Sequence, residues 1–324
     1  MTIMTSKTKV YILSFGFFLF GLFFGYFIFS KYQQTNQDYT ETHNFTTNLK
    51  YISPLLNCSN PTSNTLTNLK QKVTSVINTQ NLSHISVYFR DLNNGPWFGI
   101  NENTLFSPAS LVKVPLAIAY YKLAETDPSI FNKTIINTLK DDDSEQNIKP
   151  EKTITPNQEY TIKQLIEFMI VYSDNNSYEL LIENIDNQIL RQVYFNLGID
   201  LDKAMENPTG NIISVKNYAS FFRILFNASY LNPQYSNELL DMLTQTTFKK
   251  GLVAGVGQGT DVAHKFGERY FSNTKERQLH DCGIVYSPSK PYLICLMTRG
   301  ADFTTLSQSI KTISSVIFQH WQSL

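Results

Sequence analysis

Apolar and polar positions change character along the chain. Val10 to Phe29 is twenty residues without a charge, dominated by Phe, Leu and Ile. A run of that length matches a bilayer core of about 30 Å at about 1.5 Å of helix rise per residue. Ser30 to about Asn64 is rich in Thr, Asn and Gln and poor in apolar residues outside Tyr51–Leu56, so it reads as a tether. From about Thr65 the pattern becomes globular. Leu66–Ile77 predicts a helix, and His84–Phe89 with Trp97–Ile100 predicts two strands about Asn93-Asn94-Gly95, a hairpin signal. A long helical region follows from Ser107 to about Phe226. Within it, Thr161-Ile162-Lys163-Gln164 has the form of a capping box leading into an apolar helix that ends at Tyr172. Strand character returns at Asp261–Phe266, Leu279–Tyr286 and Tyr292–Thr298, with a turn at Ser287-Pro288-Ser289-Lys290-Pro291 between the last two. A final amphipathic helix spans Thr304–Trp321. Strands at both ends with helices between them predict an α+β fold: an antiparallel sheet built from both chain ends, plus an all-helical lobe.

This pattern divides the chain into a short cytoplasmic N-terminus (1–9), a transmembrane signal-anchor (10–29), a polar tether (30–64) and one globular domain (65–324). Lys7 and Lys9 precede the apolar run and only Lys31 follows it closely, a bias that keeps the N-terminus inside. A cleaved signal peptide is the competing reading. Against it, Ile28-Phe29-Ser30 puts a large residue where a cleavage site wants a small one. In both cases the domain lies outside the cytoplasm, and with the anchor retained the tether holds it close to the membrane face.

Composition narrows the chemistry. At 324 residues and 42% hydrophobic content, the chain can build a globular domain with a real core. It carries 27 basic and 27 acidic residues and no basic block beyond the extreme N-terminus, which argues against nucleic acid as a partner. Cys58, Cys282 and Cys295 lack C-x-x-C spacing, and the five histidines form no metal-ligating pair, so no metal site is expected. Three cysteines allow one disulfide in an oxidising compartment, with the pairing left open.

Three short motifs then stand out in order: Ser110-Leu111-Val112-Lys113, Ser173-Asp174-Asn175 and His264-Lys265-Phe266-Gly267. Ser-x-x-Lys occurs four times, starting at Ser6, Ser110, Ser272 and Ser287, so the pattern alone decides nothing. Only the Ser110 copy opens a long apolar helical stretch, where i, i+3 spacing puts hydroxyl and amine on one face. A serine needs an adjacent base, and a lysine desolvated enough to be neutral can take its proton. The bland reading makes Ser107 a helix cap ahead of Pro108 and Ser110 an ordinary first-turn residue. Ser173-Asp174-Asn175, 63 residues on, interrupts two apolar helical runs and would otherwise be a helix–helix turn capped by Asp174 or Asn175. Asp261–Gly267 reads as an edge strand along a cleft.

The order, spacing and flanking residues of these motifs resemble the class A β-lactamase and penicillin-binding protein superfamily, over roughly Thr65 to Leu324. The resemblance implies Ser110 as nucleophile, Lys113 as its base and Ser173 as proton relay to the leaving nitrogen. It implies Asn175 as holder of the substrate amide and Lys113, with Asp174 structural. Lys265 would offer positive charge to a substrate carboxylate, and Gly267 would let substrate backbone approach. The backbone N–H groups of Ser110 and Glu268 would form the oxyanion hole. Phe266 departs from the family pattern: a Thr or Ser there donates a hydroxyl, which phenylalanine lacks. The deacylating Glu-x-x-x-Asn loop also departs. Met205-Glu206-Asn207-Pro208-Thr209-Gly210-Asn211 lies in about the right region, but its Glu-to-Asn spacing is one too long. Glu206 is either the deacylating base or a solvated loop carboxylate.

The expected function is a membrane-anchored, monomeric serine hydrolase that opens β-lactam amides through a Ser110 ester, without cofactor. The rivals are a D,D-peptidase acting on cell-wall stem peptides and a non-catalytic binding module of the same fold.

Overall fold

The structure is a computed structural model that describes residues 63–139, 146–287 and 290–324. The expected anchor at Val10–Phe29, the tether, Cys58 and the centre of the Ser287–Pro291 turn lie outside the described residues. Among the described residues, no helix is long and apolar enough to cross a membrane.

Helix α1 (Ser63–Ile77) leads into the hairpin β1 (His84–Asp91) and β2 (Trp97–Ile100). The hairpin turns as its sequence predicts: Asp91 Oδ1 accepts from the Asn93 and Asn94 amides, and Gly95 takes φ 86°. The chain returns to the sheet at β5 (Asp261–Tyr270), β6 (Arg277–Tyr286) and β7 (Tyr292–Gly300), then closes with a long helix, Phe303–Gln322. Strand order is β2-β1-β7-β6-β5, antiparallel throughout, so strands from both chain ends share one sheet and β5 forms an edge.

Both faces of this sheet are covered, and β7 shows how. Leu293, Cys295 and Met297 pack toward the helical lobe, while Tyr292, Ile294 and Leu296 pack toward the terminal helices. The period-2 alternation thus separates two apolar sets rather than apolar from polar. On the terminal side, Leu306, Ile310, Ile313 and Ile317 recur at helical spacing and meet Leu69 and Val73 of α1. Cys282 and Cys295, register partners on β6 and β7, are joined by a disulfide. That resolves the pairing left open by the sequence.

The helical region is more varied than its apolar pattern predicts. It holds a 3₁₀ turn (Ala109–Val112), α2 (Lys113–Ala124), α3 (Ile162–Val171), α4 (Asn175–Glu183), α5 (Asn187–Phe195), α6 (Leu201–Met205), α7 (Val215–Phe226) and α8 (Pro233–Thr244). Between α2 and α3 stands a two-stranded ribbon, β3 (Thr134–Ile136) with β4 (Glu159–Thr161), too short to register as alternation. Thr161 and Gln164 form the expected reciprocal capping box at α3. The closing helix, Phe303–Gln322, is α9. Helix α2 is apolar nearly all round and almost wholly buried, so it is the centre of the lobe. Its first residue, Lys113, is therefore buried with it.

Candidate active site

Three segments meet where α2 begins. Pro108, not Ser107, stands at the N-cap of the 3₁₀ turn, and no side chain caps it. The Ser107 hydroxyl instead accepts from Arg269 Nη1 at 3.0 Å. Ser107 is thus no helix cap. Ala109 takes φ 46°, in the left-handed region, immediately before Ser110. A non-glycine residue there is uncommon and costs on the order of 1–3 kcal/mol, so the surrounding structure must hold it.

Lys113 is only 1% exposed. Its Nζ lies 2.7 Å from Ser173 O and 2.7 Å from Asn175 Oδ1, 3.1 Å from Ser110 Oγ and 3.3 Å from Ser173 Oγ. The two nearest neighbours are carbonyl oxygens, which only accept. A neutral amine has two N–H bonds and one lone pair. Both N–H bonds are taken by those carbonyls, which leaves the lone pair facing hydroxyls. Burial pushes Lys113 down to about 7, against the opposing charges of Asp174, Glu179 and Glu268. Near neutral pH the amine is therefore available as a base.

The second segment owes its shape to Ser173 and Asp174. Ser173 takes φ 59° and is 1% exposed, which turns its carbonyl toward Lys113. Asp174 caps α4: its Oδ2 accepts from Ser177 N at 2.7 Å and from Ser177 Oγ at 2.5 Å. Thr153 Oγ1 donates to the other oxygen at 2.5 Å. The capping and catalytic-motif readings of this tripeptide are therefore compatible, because the cap is what places Asn175 on the first turn of α4.

Edge strand β5 forms the opposite wall. Lys265 is fully buried, donates to Phe266 O at 3.3 Å, and sits 4.5 Å from the Phe266 ring centroid. Burial, with the Lys113 charge second, holds it well below the usual lysine range, and Asp281 opposes that. His264 turns to the other face of the strand, where its Nδ1 is 2.8 Å from Asp281 Oδ1. Gly267 faces the 3₁₀ turn: an added Cβ would come within 3.0 Å of Pro108 O and 3.1 Å of Leu111 N. The nucleophile turn therefore packs tightly against β5 at Gly267, where a side chain would press on the Pro108 carbonyl and on Leu111.

These segments enclose a cleft of about 670 Å³ that Ser110, Lys113, Asn175 and Glu268 line. Glu206 is exposed, after α6, and the structure does not bring it to this cleft. Phe266 is also elsewhere. It stacks on Phe248 with ring centroids 4.2 Å apart and lines a neighbouring cavity of about 690 Å³ beside Lys149, Lys249, Lys250 and Lys311. Asn147 borders both spaces. Its amide and Nδ2 donate to the Glu268 carboxylate at 2.6 and 2.9 Å, and Ile148 N donates to it at 3.2 Å. Gln146 Nε2 reaches Ser173 O at 3.1 Å. Sequence reasoning missed this crossing segment, which sits in a polar loop without a pattern. It also missed Glu179, which lines the Ser110 cleft four residues after Asn175. That i, i+4 relation on one helix face was available in the sequence.

Among the described residues no group of His, Cys, Asp and Glu is arranged to hold a metal ion. A comparison with curated protein sequences gives no match. Among solved structures, PBP-A is similar at 24% identity and a TM-score of 0.66, covering 83% of this chain and 100% of that one. The TLA-3 extended-spectrum β-lactamase aligns at 18% identity and a TM-score of 0.67, over 79% of this chain and 98% of its own. A β-lactamase from Chitinophaga pinensis DSM 2588 aligns at 21% identity and a TM-score of 0.64, over 78% and 98%. At these identities the likeness establishes the fold. The model of the β-lactamase enzyme family matches residues 68–321, most of the chain and all three motifs. The chain belongs to the β-lactamase enzyme family, as a serine β-lactamase-like hydrolase.

Proposed function

We propose that this protein is a serine acyl-hydrolase of the class A type, which opens β-lactam amides through an ester on Ser110. The observation that carries the reading is the Lys113 amine, whose two short contacts to carbonyl oxygens leave its lone pair for a hydroxyl. Lys113 takes the Ser110 proton as Oγ attacks the carbonyl carbon. The oxyanion forms against the backbone N–H groups of Ser110 and Glu268. Ser173, 3.3 Å from Lys113 Nζ through its Oγ, passes the proton to the leaving nitrogen. Asn175 holds the substrate amide, and Lys265 meets the substrate carboxylate from the β5 wall. An anionic group there would restore the charge that burial now suppresses.

A second reading, a D,D-peptidase with a long-lived acyl-enzyme, is favoured by one observation: Glu206 is outside the cleft. The two share acylation and differ in what resolves the ester. Mass spectrometry of the protein with a penicillin over time tests both. A transient adduct of one penicillin, absent in Ser110→Ala, is the expected result. A persistent adduct favours the peptidase, and no adduct, or one undiminished in Ser110→Ala, sinks the acyl-enzyme mechanism on Ser110.

The reading includes an anchor at Val10–Phe29 that holds the domain outside the cytoplasm. Protease added to intact cells should then digest the domain, while the protein fractionates with membranes. A soluble form beginning near Lys31 would overturn the anchor and leave the chemistry standing.

A further inference from the structure

An acyl-enzyme is released only if a base activates water beside the ester. Among the described residues, two glutamates line the Ser110 cleft, Glu179 and Glu268. Glu268 is occupied: its carboxylate accepts from Asn147 N, Asn147 Nδ2 and Ile148 N. Glu179 is exposed toward solvent and makes no hydrogen bond among the described residues. It lies one helical turn after Asn175, whose Oδ1 touches Lys113 Nζ at 2.7 Å, so both side chains stand on the same face of α4. Its charge also acts on Lys113.

From this arrangement we propose that Glu179 is the general base of deacylation, with its free carboxylate holding the attacking water over the Ser110 ester. This rests on the acyl-enzyme reading above. Glu179 takes one proton from water as the oxygen attacks the ester carbon. The tetrahedral intermediate then expels Ser110 Oγ as the C–O bond breaks, and the proton returns to that oxygen through Lys113. Water has then added across the ester, and every side chain ends as it began. A helix supplies the base, where the sequence points to a loop. This fits the shortfall of the Glu206 region, because a position on the second turn of α4 needs no long loop to reach the site.

The test follows a penicillin adduct in the full-length protein, in Glu179→Gln and in Glu206→Gln. Glu179→Gln should acylate at close to the parent rate but lose about 10²- to 10⁴-fold in turnover, the size of a general-base contribution, so that the adduct accumulates. Glu179→Asp should recover part of the loss, and Glu206→Gln should turn over like the parent. Parent-rate decay of the adduct in Glu179→Gln overturns the proposal, as does loss of turnover in Glu206→Gln alone. A parent adduct that never decays also overturns it, while leaving acylation on Ser110 intact. A parent that forms no adduct removes the acyl-enzyme reading itself, and this proposal falls with it.

Discussion

The cleft has two walls built on opposite plans. The wall of α2 and α4 is a connected network: Lys113 reaches Ser173 and Asn175 at 2.7 to 3.3 Å, while Asp174 caps α4 through Ser177 and accepts from Thr153. The β5 wall is more loosely connected. Among the described residues, its buried lysine donates to a carbonyl at 3.3 Å and meets an aromatic face without lining the cleft, a phenylalanine leans into a second cavity, and a glutamate is tied to a crossing loop. On the proposed mechanism the difference follows from what each wall would do. Proton transfer needs donor and acceptor fixed within hydrogen-bond reach, which a connected network supplies. Substrate recognition needs only complementary charge and shape, and can be met in several ways.

Breaking the first wall should have the largest effect. Lys113→Ala should slow acylation by about 10²- to 10⁴-fold while the protein still binds substrate, measured by single-turnover adduct formation. The pH profile sharpens the point. On the proposed mechanism Lys113 works only when neutral, and burial lowers its pKa to about 7. The acylation rate should therefore rise with pH through about 7 and level off above it. Asn175→Asp would place a carboxylate against the amine, favour the charged form and move this acid limb to higher pH. An unshifted limb would mean that another group titrates.

The second wall gives a smaller effect of a different kind. Glu268→Ala removes three hydrogen bonds that tie Asn147 and Ile148 across the cleft. Because this contact is exposed, solvent recovers most of the loss, and about 1.4 kcal/mol is a fair net figure. Hydrogen exchange at the Asn147 and Ile148 amides should then quicken about tenfold. Turnover of bulky substrates, which reach past Asn147, should rise relative to small ones. Equal changes for both sizes would show that the loop does not divide the cleft from the neighbouring cavity.

The same contrast explains what the sequence reveals. Ser110 and Lys113 are legible because i, i+3 spacing on a helix is a local geometry, and Asp174 because capping is local too. The strands β5 to β7 are legible by composition, although their ends run on to Tyr270, Arg277 and Gly300, where polar residues hide the ladder. Other features depend on contacts between distant segments. Cys282 and Cys295 pair because the register of β6 against β7 sets them opposite each other, which no spacing rule shows. Gly267 packs closely against Pro108 and Leu111, more than 150 residues earlier in the chain. Phe266 is instructive because strand parity alone assigns it to the face opposite Lys265 and Gly267. Its membership of the motif drew it toward the catalytic centre, whereas the alternation of β5 sends its ring to Phe248.

The smallest change in activity is expected at that residue. Phe266 is 5% exposed and stacked on Phe248, so Phe266→Thr should cost about 3 kcal/mol of stability, as large-to-small core changes do. In a domain of this size that lowers Tm by roughly 6–12 °C. Although the two side chains leave β5 on opposite faces, Lys265 Nζ curls to within 4.5 Å of the Phe266 ring centroid, so a hydroxyl at 266 could share a carboxylate with it. A full hydrogen bond to a charged group is worth about 1.5–3 kcal/mol, a ten- to hundredfold change in affinity. Here the ring lines the neighbouring cavity and the Ser110 cleft lies beyond Asn147, so only part of that gain is realised. KM for a chromogenic cephalosporin should fall by less than about tenfold, with kcat unchanged. A hundredfold fall would show the carboxylate lying against residue 266, with cleft and cavity acting as one site once the Asn147 crossing opens. Lower activity would instead make the Phe266 ring part of the site's own choice of substrate. In that case the lysine-rimmed cavity behind it, and not the family's usual hydroxyl, would be where the anionic end of the substrate is held.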